Sequence, residues 1–423
     1  MNLTQKVIIA LVLGILCGLI LNTTGQGGDG TWGQIYLVDG VFKVIGALFV
    51  NALKMLVVPL VIFSLIPGIV GIGDLSLLGR VGIKAFALYV CTTAVAIATA
   101  IVTAASFGIG SGMRAPEHSG FSGREAPPLT DVIIDIVPSN PIAAMANGDM
   151  LAIIFFAIIF GISLLAVAKE SPDVVRLIEQ LNTVMMKMVT LIMHFAPYAV
   201  FCLIAKAIAA MGFALLVQLL DYFLVLVGVL LLHGLFTLPL ALKVFTGLNP
   251  IVFLRKMRTA QLFAFSTASS AATIPVTMRT VQSRLGVDRS ISSFTVPLGA
   301  TINMDGTAMM QGVATVFIAN LYGVDLGLSG YLTVVVMAVL ASIGTAAVPG
   351  VGLIMLTMVF AQVNLPIEGI GLILGIDRLL DMVRTAVNVT GDATVSSIVA
   401  TGEKKMDHGI FNDPQAGELE ANS

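Results

Sequence analysis

Apolar residues fill this chain in continuous blocks, each close to the roughly twenty residues that a membrane helix requires. The blocks do not alternate with period two, which argues against a β-barrel. They predict helices over about 7–22, 40–70, 82–108, 131–168, 178–207 and 213–243. Lys6 followed by Val7 to Leu21 has the outline of a signal peptide. No small-x-small cleavage site precedes Asn22, so a first transmembrane helix is the better reading. Residues 109–130, with Glu117, His118 and Glu125, read as a solvated external loop.

Two later segments depart from this pattern. Residues 251–283 begin and end with basic side chains, so the segment enters and leaves on one side. Its middle, Ser266 to Pro275, is too polar and Pro-broken for a plain span. It reads as a re-entrant helical hairpin, which is tolerated only where it lines a cavity. Residues 331–361 form a second such segment, with a tip from Ser342 to Gly352. Both tips carry Ser, then Thr three residues on, then Pro. Each is followed by a helix with a polar break, Asn303-Met304-Asp305-Gly306-Thr307 and Asn388-Val389-Thr390-Gly391-Asp392. Hairpin and helix, repeated with opposite entry sides, is the trace of an inverted repeat with its sites near the bilayer midplane.

Composition agrees. Of 423 residues, 57% are hydrophobic and 11% charged, which excludes an ordinary soluble domain. The net charge of -2 is uninformative about partners, and no basic cluster suggests nucleic acid. With the N-terminus inside, Lys6, Arg80, Lys84, Lys169, Arg176, Arg255, Lys256, Arg258, Arg279, Arg284, Arg289, Lys404 and Lys405 fall on the cytoplasmic side. Only Arg114 and Arg124 remain in the external loop. The polar tail, Gly402 to Ser423, reads as a disordered cytoplasmic end. Cys17, Cys91 and Cys202 read as small buried hydrophobes, and Met185, Met186, Met188 and Met193 as packing residues. Lys54 reads as snorkelling, and His194 as a hydrogen-bonded core histidine. Gly25 to Gly30 fits a dinucleotide pattern without the βαβ context it needs. Gly327-Leu328-Ser329-Gly330 fits an intramembrane serine-protease pattern, but only His408, in the tail, follows it.

The chemistry concentrates in residues 377–392. At the helical step, Asp377, Asp381, Arg384, Thr385, Asn388 and Asp392 share one stripe. A charge at the centre of a membrane helix costs on the order of 2.5–3.5 kcal/mol, so a stripe of them points to a water-accessible site for charged cargo. Asp305 and Asp392 each stand beside Asn and Gly. A helix break there frees carbonyl oxygens for an alkali cation, while the alternative is a hydrogen-bonded kink. Arg384 either joins Asp381 or Asp377 in a structural network or awaits an anionic substrate, whose carboxylate its planar fork matches. Asp381, one turn away, suits a substrate ammonium. Together they suggest an amino acid with an acidic side chain. Arg378 reads as charge-balancing. The small tip residues, Ser269, Ser270, Thr273 and Gly344 to Gly352, allow either close ligand approach and gating or close helix packing.

These residues resemble the dicarboxylate/amino acid:cation symporters, a family of archaeal aspartate transporters, bacterial glutamate carriers and animal excitatory amino-acid transporters. The resemblance spans nearly the whole chain and is densest in Asn303 to Thr307, Ala341 to Gly352 and Asp381 to Asp392. It implies an all-α polytopic membrane protein with eight transmembrane helices and two re-entrant hairpins, forming a homotrimer in the cell (inner or plasma) membrane, with both termini cytoplasmic. It implies a transporter and not an enzyme. Scaffold helices would occupy 1–80 and 131–212, a third helix and external loop 81–130, the transport core 213–401, and a cytoplasmic tail 402–423. The core would move against the scaffold like an elevator.

In such proteins the residue matching Arg384 holds the substrate side-chain carboxylate, Asp381 its amino group and Asn388 its main-chain carboxylate. Ser270, Thr307, Val348, Gly352 and Thr385 would complete the pocket. Gly299, Asn303, Asn388 and Asp392 would form one Na+ site. Thr301, Met304, Ser342, Ile343 and Thr345 would form a second, and Tyr89, Thr92, Thr93, Asn303 and Asp305 a third. Archaeal relatives carry an Arg where this chain has Ala268, and animal relatives carry one near Met382; Arg378 is the candidate stand-in. Gln311 replaces a glutamate linked to proton coupling, and Ala347 a tip glycine. The expectation is Na+-driven symport of L-aspartate and L-glutamate, with proton-coupled uptake of the same substrates or a C4-dicarboxylate carrier as alternatives. Asp381 argues against the dicarboxylate, which has no ammonium. The gating hairpins and mixed charges argue against a pure channel, and no paired catalytic aspartates mark a hydrolase.

Overall fold

The computed structural model describes residues 3–28, 30–70, 81–111, 134, 136–344 and 349–417. Helix α1 is Leu3–Thr23. A π-helical stretch, Gly33–Phe42, runs into α2, Lys43–Val70. Then come α3 (Ile83–Phe107), α4 (Pro141–Asn147), α5 (Met150–Ala166), α6 (Pro172–Met193) and α7 (Ala196–Met211). Helix α8 (Phe213–Leu232) continues through a π-helical turn, His233–Thr237, into α9 (Leu238–Thr246). The remainder comprises α10 (Pro250–Thr267), α11 (Ser270–Arg279), α12 (Arg289–Ile302), α13 (Asp305–Tyr322), α14 (Gly327–Gly344), α15 (Val351–Gln362), α16 (Ile370–Gly402) and α17 (His408–Asn412).

Four described helical stretches are long and apolar enough to cross a membrane: Gln5–Thr23, Gly33–Leu53, Ile83–Phe107 and Phe213–Thr246. Apolar side chains such as Leu48, Val102 and Leu224 stand exposed on them, as expected for faces that meet lipid. The all-helical fold, with several apolar helices, is that of a polytopic membrane protein.

The helices pack in two sets. In one, α1 lies against α7, and α2 against α5, α6 and α7. Small residues permit the α1–α7 approach: a Cβ on Gly14 would stand 2.8 Å from Phe201 O, and one on Gly18 2.8 Å from Ala205 O. In the other set, α3 packs on α13, while α10, α12, α9 and α8 pack on α16. Helix α13 is buried along nearly its whole length.

Several expectations need correction. The span 131–168 is divided at Gly148, held at φ 77°, and α4 begins at Pro141 with Asn140 as its cap. Residues 131–133 and 135 lie outside the described residues. The span 178–207 starts earlier, at Pro172, and bends by 48° between α6 and α7. Pro197, in the first turn of α7, has no amide hydrogen to extend α6. Pro275 lies inside α11, and the reversal before it comes instead at Ala268 (φ 49°) and the cap Ser269.

Helix α16 runs unbroken through 388–392, where a break was expected. Thr390, Thr394 and Ser396 all donate to carbonyls one turn back, at Ala386, Thr390 and Asp392. The tail up to Gly417 is docked, not disordered. Asp407 N donates to Gly286 O (2.7 Å), Asp288 N donates to Lys405 O (3.0 Å), and Phe411 is fully buried. Of the cysteines, Cys202 is buried, Cys17 half-buried and Cys91 exposed, so burial fails for Cys91. His194 is exposed, its Nδ1 2.6 Å from Thr190 O, and is no core histidine. The external-loop residues Arg114, Glu117, His118, Arg124 and Glu125 lie outside the described residues, as do Arg80, Ala347 and the side chain of Lys54.

Candidate functional site

The break between α12 and α13 is real and builds half of the site. Asn303 and Met304 leave helical geometry, at φ/ψ -105°/79° and -108°/51°. Ser342 of α14 ties the break down: its hydroxyl donates to Ile302 O (2.9 Å) and accepts from Met304 N (3.0 Å). Asp305 is then the first residue of α13, where a carboxylate is favoured by the helix dipole.

Around Asp305 the structure gathers most of the residues expected for cations. Thr93 Oγ1 donates to Asp305 Oδ1 (2.6 Å), and Thr92 Oγ1 lies 3.5 Å from the same oxygen. Asn303 Nδ2 donates to Asp392 Oδ1 (3.0 Å), joining the break to α16. Tyr89 donates to Thr295 O (2.9 Å) from the adjoining α3. Two glycines make room. A Cβ on Gly299 would overlap Asp392 and stand 2.7 Å from Tyr89 Oη; one on Gly391 would stand 2.6 Å from Asn303 Nδ2. Thr301 is half-buried and donates to Leu298 O (2.8 Å), and Ile343 is buried. Thr345 lies outside the described residues.

Asp305 and Asp392 are both buried, and among the described residues neither meets a Lys or Arg. A buried carboxylate with no Lys or Arg beside it is unfavourable unless hydrogen bonds, a proton or a cation offset its charge. The available donors are carboxylate, amide, hydroxyl and carbonyl oxygens, which suit a hard cation. Among the described residues no group of three His, Cys, Asp or Glu side chains is placed to hold a metal, so a transition-metal centre is not what this cage resembles.

One member escaped sequence reasoning. His233, in the π-helical turn after α8, is buried with Nε2 3.0 Å from Asp305 Oδ2. Against a carboxylate that nitrogen donates. Its signal was a single histidine inside Leu230-Leu231-Leu232-His233-Gly234.

The other half of the site is the charged stripe of α16. Arg384 holds Asp377 through both oxygens, at 2.5 and 3.3 Å, and Asp381 at 2.9 Å. Arg378 lies 3.7 Å from Asp381, in the charge-balancing position expected of it. Gly350 N, beside α15, donates to Asp381 Oδ2 (3.3 Å). The four charges sum to zero. Arg384 is 1% exposed and its Nε has no hydrogen-bond partner among the described residues.

Asn388 Oδ1 accepts from Gly306 N (2.8 Å), linking this stripe to the start of α13. A Cβ on Gly352 would stand 3.0 Å from Thr307 Cγ2 and 3.7 Å from Arg384 Nη2, so Thr307, Gly352 and Arg384 are neighbours. Thr385 donates to Asp381 O (2.8 Å), and Ser270 is buried at the start of α11, which packs on α16. Val348 lies outside the described residues. Beside Asp377, Arg378 and Asp381 there is a cavity of only about 20 Å³.

A buried guanidinium flanked by carboxylates on α16 thus sits next to a cage of cation-seeking oxygens shared by α3, α13 and α16. Comparison with known proteins decides the family: the model of the sodium:dicarboxylate symporter family matches residues 3–401. The chain belongs to that family. It is therefore a transporter and not an enzyme. The symporter is 34% identical over 418 residues to the proton/glutamate-aspartate symporter of Escherichia coli, covering 96% of this chain and 94% of the relative. It is 31% identical to the proton/sodium-glutamate symport protein of Bacillus caldotenax (95% and 94% covered). It is 34% identical to an excitatory amino acid transporter of Caenorhabditis elegans (92% and 85% covered). Family and apolar helices together agree with a place in the membrane.

Proposed function

We propose that this symporter carries L-aspartate and L-glutamate into the cell, driven by a Na+ gradient. The observation that carries the reading is the buried Arg384, held by Asp377 and Asp381 and adjoining the cage of Asp305 and Asp392. Once the site opens, the Arg384 fork, here held by Asp377 and Asp381, would pass to the side-chain carboxylate, Asp381 would take the ammonium, and Asn388 would face the main-chain carboxylate. An acidic amino acid adds one net negative charge to a stripe that is already neutral, so a cation must travel with it. Gln311, buried on α13, leaves no carboxyl there to carry a proton and favours sodium. Three Na+ positions follow the groupings around Gly299 and Asp392, around Met304 and Ser342, and around Tyr89, Thr93 and Asp305.

The 20 Å³ cavity holds about one water and no amino acid. Substrate entry therefore requires the Gly350–Asp381 contact to open, which supports a gate formed by α14 and α15. Helices α10 and α11 would be the matching re-entrant pair, completing eight transmembrane helices and two hairpins. The packing of α1, α2, α5, α6 and α7 on one another supports a scaffold, trimeric in the membrane, against which the core slides as an elevator. Both termini are assigned to the cytoplasm of a cell (inner) membrane.

The second reading is proton coupling, because the Escherichia coli relative is named for it. A C4-dicarboxylate leaves Asp381 without its ammonium. Binding of L-aspartate, L-asparagine and succinate to the purified protein tests the substrate class. Tight binding of aspartate alone supports it; succinate binding as tightly as aspartate overturns it.

A further inference from the structure

Away from the transport site, a cavity of about 380 Å³ opens where the first turns of α10 meet the docked tail. Its polar lining is Arg255, Lys256, Arg258, Thr259, Arg284 and Asn412. Four of these six are cationic, and among the described residues no Asp or Glu lines the cavity. The walls are fixed. Lys256, 2% exposed, donates to Arg284 O and Ile410 O, both at 2.7 Å, and its ammonium lies 5.8 Å from the Phe411 ring centroid. The bridge between Val287 and Met406 holds the tail in place.

Arg255 and Arg258, three positions apart on α10, carry like charges at the cavity wall, and an anion between them relieves their repulsion. Arg255 and Arg258 are exposed in the first three turns of α10, with guanidinium forks suited to phosphate oxygens. Ile251, one turn before Arg255 on the same face, is 69% exposed, and Val244 and Phe245 at the end of α9 are 70% and 62% exposed. A basic recess beside exposed apolar side chains fits a molecule with a phosphate head and hydrocarbon tails, and basic pockets at the cytoplasmic ends of membrane helices bind such heads.

We propose that this cavity binds the phosphate headgroup of an anionic membrane lipid, with its acyl chains along Ile251, Val244 and Phe245. The site joins α10 to the tail, so an occupied site braces the base of the α10–α11 pair. It does not depend on which substrate or ion the symporter carries. A soluble phosphate compound shares the headgroup chemistry and lacks the tails.

Native mass spectrometry of the detergent-purified, full-length protein tests the site. Phosphatidylglycerol or cardiolipin is titrated in, with phosphatidylcholine and inorganic phosphate as separate arms. The double variant Arg255→Gln/Arg258→Gln should bind the anionic lipid roughly thirty-fold more weakly, from about 1 kcal/mol per basic contact. Lys169→Gln/Arg176→Gln, which removes equal charge elsewhere, should bind as the parent does. Arg255→Lys/Arg258→Lys retains charge and fold and should fall between the two. Equal loss in both Gln pairs, or no loss in either, overturns the site. Inorganic phosphate occupying it as tightly as the lipid overturns the lipid as ligand.

Discussion

Replacing Gly299 by Ala adds one methyl group where α12, α16 and α3 meet. Its Cβ would overlap Asp392 Oδ1 and stand 2.8 Å from Asp392 Cγ and 2.7 Å from Tyr89 Oη. Ordinary contact begins near 3.4 Å, so the phenol must retreat by about 0.7 Å and the carboxylate oxygen by about 1 Å. Asp392 is not free to do so, because Asn303 Nδ2 holds it at 3.0 Å. Overpacking of this kind costs about 1–3 kcal/mol. Expressed at the cation cage, that is about a 5- to 150-fold loss of cation affinity. The assay is L-aspartate uptake into proteoliposomes, titrated with sodium. The midpoint of the sodium curve should rise at least fivefold in Gly299→Ala, with uptake approaching the parent's at the highest sodium. An unchanged midpoint in a folded variant would refute the assignment of Gly299, Asn303 and Asp392 to a cation site.

His233→Ala removes a buried donor from Asp305 and should cost roughly 1–3 kcal/mol of stability, with a rise in the cation needed for half-maximal uptake; thermal melts and sodium titrations check both. Thr93→Val keeps the shape of the side chain and loses the 2.6 Å bond to Asp305, so sodium dependence should weaken with little change in aspartate affinity at saturating sodium. Asp288 caps α12, and the Ser290 hydroxyl and amide hold its carboxyl below the usual Asp range, with Lys405 adding to the effect. The sign is that of a depressed carboxyl: its stabilisation is present above the unfolded pKa and is lost as pH falls through the folded one. Asp288→Ala should therefore melt earlier than the parent at neutral pH, and the gap should close as pH drops below the ordinary carboxylate range.

What could be read from the chain was what burial makes expensive. Arg384, Asp377 and Asp381 announced themselves because charge inside an apolar helix has few explanations, and the structure puts the three together. The break at Asn303 and Met304 was legible for the same reason. Asn388 to Asp392 carries a similar composition, yet α16 stays helical there, with Thr390 bonded back to a carbonyl one turn earlier. His233 was missed because one histidine in an apolar run has no pattern; its importance comes from Asp305, 72 positions later. The docked tail was missed because polar composition suggests solvation, while its anchors are the buried Phe411 beside the Lys256 ammonium and backbone bonds to Gly286 and Asp288. Bends at Gly148 and Pro197 are local breaks within apolar stretches, which periodicity alone runs through.

The central claim is sodium-driven uptake of an acidic amino acid. Radiolabelled L-aspartate uptake into proteoliposomes, with an inward sodium gradient set against an inward proton gradient, tests it most directly. Accumulation should require sodium and persist without a proton gradient. Accumulation driven by protons in the absence of sodium would contradict it, leaving the family intact and removing sodium from the cage of Asp305 and Asp392.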